Sequence, residues 1–144
     1  MRRFHTLDVF TDRAYGGNPL AVVSDAGGLS TAAMQAIARE FNLSETVFIL
    51  PPESPANTRR VRIFTPGCEL PFAGHPTIGT AWLLALLGEV PLREPETEIL
   101  LEEGVGVVRV QVRVEGGRPV MAHLTPARLP EQGPPPPPRT ELAR

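Results

Sequence analysis

The segment from Thr77 to Leu87 constrains the fold most, because Ile78, Ala81, Trp82, Leu83, Leu84, Leu86 and Leu87 surround almost every face of a helix drawn through it. A surface helix needs one apolar stripe; a helix apolar all round has no face to give to water and is expected to be enclosed on every side. Pro76, just ahead of it, suits a helix start, where its missing N–H costs nothing. The continuous apolar part, Ala81 to Leu87, is far short of the roughly 20 residues of a membrane span. The enclosing material must therefore be the protein's own.

Strand patterns supply it. Arg2 to Phe10 sets Phe4, Thr6 and Asp8 against His5, Leu7 and Val9 in strict alternation. A turn cluster, Tyr15-Gly16-Gly17-Asn18-Pro19, leads to a short apolar strand, Leu20 to Val23. Ser30 offers an N-cap to a first helix that carries Met34, Ile37, Ala38 and Phe41 on one stripe and ends near Asn42. Thr46 to Leu50 and Arg59 to Phe64 read as strands, the second with a solvated basic face. The loop Thr65 to His75 then leads into the apolar helix, Thr77 to about Leu87. Strands follow near Glu98–Glu102, Val105–Val114 and Pro119–Leu124, with Gly116-Gly117 turning the last hairpin. About six or seven strands around one apolar helix predict an α+β fold: a strongly curved mixed β-sheet, a half-barrel, wrapped around a central helix.

At 144 residues the chain fits one domain, expected to span residues 1–125. From Pro126 the composition changes. Pro130 and the run Pro134 to Pro138 predict a stiff extended linker, and Arg139 to Arg144 reads as the opening turn of another helix. Residues 126–144 are thus expected to lead into a second domain.

Composition closes several chemistries. The chain contains no lysine, so Schiff-base and pyridoxal-phosphate chemistry and a lysine-type phosphate loop have no residue here to work with. Its one cysteine, Cys68, allows no internal disulfide and no two-thiol mechanism, and reads as a passive loop residue. His5, His75, His123 and Cys68 lack metal-ligand spacing, so no metal site is expected. A net charge of −2 gives no pull toward nucleic acid or anionic lipid, and Met1 to His5 leads into a strand pattern rather than a signal core. The expectation is a cytoplasmic protein with neither nucleic-acid nor membrane partners.

Three segments put polar groups at the joints of apolar elements: Gly17-Asn18-Pro19, Asn42-Leu43-Ser44-Glu45-Thr46, and Gly74-His75-Pro76-Thr77. A carboxylate held against apolar surface is more easily protonated, and Glu45, flanked by Leu43 and Val47-Phe48-Ile49, is a candidate proton carrier. The residues alone favour a solvent-facing or capping Glu45. The start of the second helix leaves backbone N–H groups free for an anion such as a substrate carboxylate. His75 would donate a hydrogen bond or a proton there, or simply cap the helix. Asn18, by itself, reads as a turn residue.

Taken in order, Asp8-Val9-Phe10-Thr11, Gly17 to Val23, Asn42 to Phe48, Arg62-Ile63-Phe64-Thr65-Pro66 and Glu69 to Ala81 resemble the PhzF-like phenazine-biosynthesis family, from about residue 4 to the last strand. The resemblance implies a diaminopimelate-epimerase-like fold, in which two similar domains enclose an active-site cleft. It implies an isomerase that moves a proton within a small carboxylate-bearing substrate without organic cofactor or metal; the best-known member acts on trans-2,3-dihydro-3-hydroxyanthranilate. The family's general acid/base falls on Glu45 and its cleft histidine on His75. Asn18, Ser44, Gly74, Pro76 and Thr77 fall among its substrate-binding positions. Two-thiol epimerases of this fold carry a cysteine immediately before the glycine at the helix start; here that residue is Ala73. Further cleft residues, an acidic one and a serine, belong to the family's second half. The implied partner is therefore a second-half domain or, as the alternative of a non-catalytic domain, another copy in a homodimer.

Overall fold

The computed structural model describes residues 2–127 and residue 133. The expected linker at Pro134–Pro138 and the helix start at Arg139–Arg144 lie outside the described residues. Within them the chain runs β1 (Phe4–Val9), β2 (Asn18–Val23), α1 (Thr31–Phe41), β3 (Glu45–Leu50), β4 (Arg59–Phe64), β5 (Glu69–Leu70), α2 (Gly74–Leu86), β6 (Glu96–Glu103), β7 (Gly106–Glu115) and β8 (Arg118–Thr125). The class is α+β, as the patterning predicts.

One mixed sheet holds the strands in the order β1-β2-β3-β4-β6-β7-β8, with β5 paired to β4 beside that path. Two pairs are parallel, β2 with β3 and β4 with β6. Each parallel pair is joined by a helical crossover, α1 for the first and α2 for the second, as parallel pairing requires. The remaining neighbours are antiparallel.

The two helices lie on opposite faces of the sheet, and the period of two along each strand sorts the core accordingly. Leu20, Val22, Val47, Ile49, Val61 and Ile63 face α2, joining Leu83, Leu84, Val110 and Val112. Val23, Phe48 and Phe64 face α1 and pack on Met34 and Ala38. Phe48 and Phe64 meet edge to face at 5.4 Å. The α1 boundaries are those the sequence implies: the Ser30 hydroxyl accepts from Ala33 N–H at 3.2 Å, and Asn42 closes the helix in the left-handed region at φ 53°. Close approach of α2 to β1 and β2 depends on Gly79, where an added Cβ would stand 2.7 Å from Val9 Cγ2 and 2.8 Å from Leu20 Cδ2.

Three expectations need correction. The apolar helix begins at Gly74 rather than Thr77, so Pro76 is its third residue, still within the turn that needs no N–H partner. The loop Thr65–His75 contains β5, two residues long, a strand that only its pairing with Ile63 and Phe64 defines. Nor is α2 enclosed on all sides. Leu84 is 1% exposed, but Leu86 is 51% exposed, and Leu87 is exposed too. Among the described residues the sheet does not close between β1 and β8. Ile78 and Trp82, one turn apart on α2, are half-buried at this gap. A cavity of about 540 Å³ lies at this opening, lined by Leu7, Val9, Ile78, Trp82, Val120 and Met121 among others.

No helix among the described residues is long and apolar enough to cross a membrane.

Candidate active site

Strand direction decides what meets at one end of the sheet. Antiparallel pairing of β3 with β4 places Thr46 opposite Phe64, so β3 begins where β4 ends. The chain leaves β4 through β5 and enters α2 almost at once; the N-terminus of α2 therefore opens beside Glu45, the first residue of β3. Parallel pairing of β2 with β3 sets Leu20 opposite Glu45 and brings Asn18 and Pro19 to the same end. Four segments distant in sequence thus converge.

At their meeting point Glu45 Oε2 and His75 Nε2 stand 3.3 Å apart, with side chains 18% and 10% exposed. Neither atom has a well-aligned hydrogen bond, although both are buried. Two titratable atoms thus face each other without a satisfied hydrogen bond, an arrangement that costs stability. Burial lowers the His75 pKa below its usual value, against the opposing pull of the Glu45 charge and of a hydrogen bond to the Pro19 backbone. His75 is accordingly neutral at pH 7; its one N–H donates to the Pro19 carbonyl, and Nε2 turns a lone pair toward Glu45.

The other expected site residues divide. Ser44 donates to Asn18 Oδ1 at 3.3 Å, a contact that ties the start of β2 to the approach to β3. Gly74 has open space where a Cβ would stand. Ala73, the residue ahead of α2, makes no side-chain cap, so the first N–H groups of the helix remain available along its positive end. Pro76 and Thr77, by contrast, are buried in the interior. The Thr77 hydroxyl lies 2.7 Å from the Ala73 carbonyl and 2.7 Å from Glu103 Oε1.

Glu103, at the end of β6, was not foreseen. The acidic pair Glu102-Glu103 in sequence gives no sign that the two residues differ, yet their surroundings do. Glu102 accepts from the Asn57 side chain and from the Glu53 and Ser54 N–H groups, which hold its pKa low. Burial pushes Glu103 up to about 7, against the hydrogen bond to Thr77. Cys68 is an exposed loop thiol beside the Thr65 hydroxyl. Among the described residues no cluster of His, Cys, Asp and Glu is arranged to hold a metal ion.

Comparison with known proteins places this arrangement in a family. The family model for phenazine biosynthesis-like proteins, PhzC-PhzF, matches residues 7–143. A Mesorhizobium japonicum protein named as an uncharacterized isomerase is 53% identical over 131 residues, which are 90% of this chain and 42% of that one. The trans-2,3-dihydro-3-hydroxyanthranilate isomerase of Pseudomonas aeruginosa is 42% identical over 124 residues, again 42% of its length. The crystal structure of a Bacillus anthracis phenazine biosynthesis protein of the PhzF family superposes with a TM-score of 0.70 at 34% identity, over 78% of this chain and 36% of that one. The chain thus spans about two fifths of the length of the curated relatives it matches. With five sequence segments, the mixed sheet around α2 and a family match over nearly the whole chain in agreement, the chain belongs to the PhzF-like phenazine biosynthesis family.

Proposed function

We propose that this chain supplies Glu45 as the general acid/base of an isomerase that moves a proton within a small carboxylate-bearing substrate, with no organic cofactor or metal. The observation that carries the reading is the pair Glu45–His75, buried and 3.3 Å apart beside an uncapped helix N-terminus. As a carboxylate, Glu45 can take a proton from carbon; as an acid, it can return that proton to another carbon. One group alternating between two forms balances the reaction. The α2 N–H groups at Gly74 and His75 suit the substrate's carboxylate, and an anchored substrate holds its reacting carbons against Glu45. His75 is then the hydrogen-bond partner that Glu45 gains or loses as its proton moves. The name of the Pseudomonas aeruginosa relative makes trans-2,3-dihydro-3-hydroxyanthranilate the first substrate to try.

The test is turnover in D2O by a protein that joins this chain to the remaining length of the family. A carboxyl proton exchanges with solvent between removal and return, so part of the product is expected to carry deuterium at the newly protonated carbon. Complete retention of the substrate's own hydrogen would replace acid/base catalysis by a direct shift. No isomerisation at all would remove this substrate.

The opening between β1 and β8 bears on partners. Phe10, Tyr15, Val120 and Met121 are all exposed, and all but Tyr15 line the cavity beside Ile78 and Trp82. We read this face as covered in the working protein, and the purified 144-residue chain is expected to form a homodimer through it. Light scattering at tens of micromolar checks this; a clean monomer would overturn it.

A further inference from the structure

The Thr77 hydroxyl has one hydrogen and two oxygen neighbours at hydrogen-bonding distance, the Ala73 carbonyl and Glu103 Oε1, each at 2.7 Å. A carbonyl oxygen can only accept, and an ionised carboxylate can only accept. If Glu103 were ionised, the one hydrogen would serve one neighbour and leave two oxygens pressed together without a proton between them. If Glu103 keeps its proton, both contacts are satisfied in one direction: Glu103 donates to Thr77, and Thr77 donates to the Ala73 carbonyl. The second carboxyl oxygen points the same way, since Glu103 Oε2 is buried with no hydrogen-bond partner. A neutral carboxyl tolerates that better than a charged one.

The surroundings supply no neutralising cation. Glu103 lines a cleft of about 420 Å³ together with Arg60 and Arg62 of β4, Glu69 of β5, Glu102 of β6 and Glu53 from the β3–β4 connection. Arg60 is paired with Glu53, and Arg62 with Glu69. Glu102 is bound by the Glu53 and Ser54 backbone and by Asn57. No ion pair reaches Glu103 among the described residues. From α2 the group facing it is Thr77, which does not titrate.

We infer that Glu103 is a positioning residue for the site, a carboxylic acid whose proton locks Thr77 and Ala73 and so holds the first turn of α2 that presents His75 to Glu45. It acts through Thr77; among the described residues no hydrogen bond or ion pair joins it to Glu45 or His75. Loss of its proton would break the lock and put a negative charge behind the helix end that is read here as the carboxylate site. The protonation claim stands on this chain alone; the consequence for substrate rests on the function proposed above.

The test begins with pH-dependent unfolding of the 144-residue chain and its Glu103→Gln variant, whose amide can donate to Thr77 at every pH. Glu103 has a folded pKa of about 7 against 4.5 when unperturbed. Being raised, it contributes stability that is complete below pH 4.5 and is lost as pH rises through about 7. The unfolding constant of the unaltered chain is therefore expected to rise by roughly 100-fold relative to the variant across that window. A flat ratio would overturn the inference. Infrared spectra of the unaltered chain, which need no variant, should show one carboxyl still protonated near pH 6, above the range of ordinary carboxyls; its absence would also overturn it. For positioning, His75 ring resonances should follow the loss of the Glu103 proton in the unaltered chain and not in Glu103→Gln. Should they ignore it, Glu103 holds the fold without holding the site. If these results hold and turnover is still not found, the functional reading fails and the inference about Glu103 does not.

Discussion

Glu45→Gln is expected to lower kcat by about 10²–10⁴-fold in a protein carrying the rest of the family's length, with little change in the affinity for a carboxylate-bearing analogue. Glutamine keeps the size of the side chain and one hydrogen-bonding oxygen, but it cannot pick up a proton from carbon at any working pH. Because Glu45 is the first residue of β3 and its side chain is partly open to the site, the change should leave the sheet intact. The loss should therefore fall on kcat and not on KM, the pattern of an interaction made only in the transition state. Steady-state kinetics and a binding titration of the same preparation separate the two quantities. Near-normal turnover would remove Glu45 from the proton-transfer role, and His75 would be the next residue to test. A fall in analogue binding as large as the fall in kcat would mean that Glu45 holds the substrate instead of reacting with it.

Leu84→Ala is expected to cost about 2–5 kcal/mol of stability, whereas Leu86→Ala, two residues along the same helix, should cost under about 0.5 kcal/mol. The difference follows from where α2 points each side chain. Leu84 is fully buried in the cluster that includes Val47, Ile63 and Val110, and truncation would leave a cavity the rigid sheet cannot fill. Leu86 is the last residue of α2, and half of its surface is already in water. Equilibrium denaturation of the two variants measures both values. Equal, large losses would show the end of α2 covered in solution, and equal, small ones would place α2 outside the core.

Much of the site could be read from the sequence because its parts are local. Glu45 and His75 each sit in a short polar joint between apolar segments, and such joints are visible one at a time. The distance between them was not visible. It depends on β3 starting where β4 ends and on α2 leaving the sheet at that same edge. Glu103 was invisible for a stronger reason: nothing distinguishes it from Glu102 except which oxygen atoms surround it after folding. Thr77 shows the same limit from the other side. Its place in the motif suggested a role toward substrate, and the structure commits its hydroxyl to Ala73 and Glu103.

The sequence by itself determined the local states and the faces. Ser30 and Asn42 bound α1, alternation of Phe4, Thr6 and Asp8 against His5, Leu7 and Val9 marked the first strand, and the all-round apolarity of α2 announced that other elements must wrap it. These are nearest-neighbour and periodic properties, so a single chain carries them openly. Only the tertiary structure decided how far the wrapping goes, that β5 exists as a strand, and which carboxyl keeps its proton. Sheet closure is a property of all the strands together, a two-residue strand exists only through its partner, and a pKa is set by solvent exclusion and by groups far apart in sequence. Among the described residues the sheet stops short at β1 and β8, and that is why a helix patterned for full enclosure has Ile78 and Trp82 beside an opening.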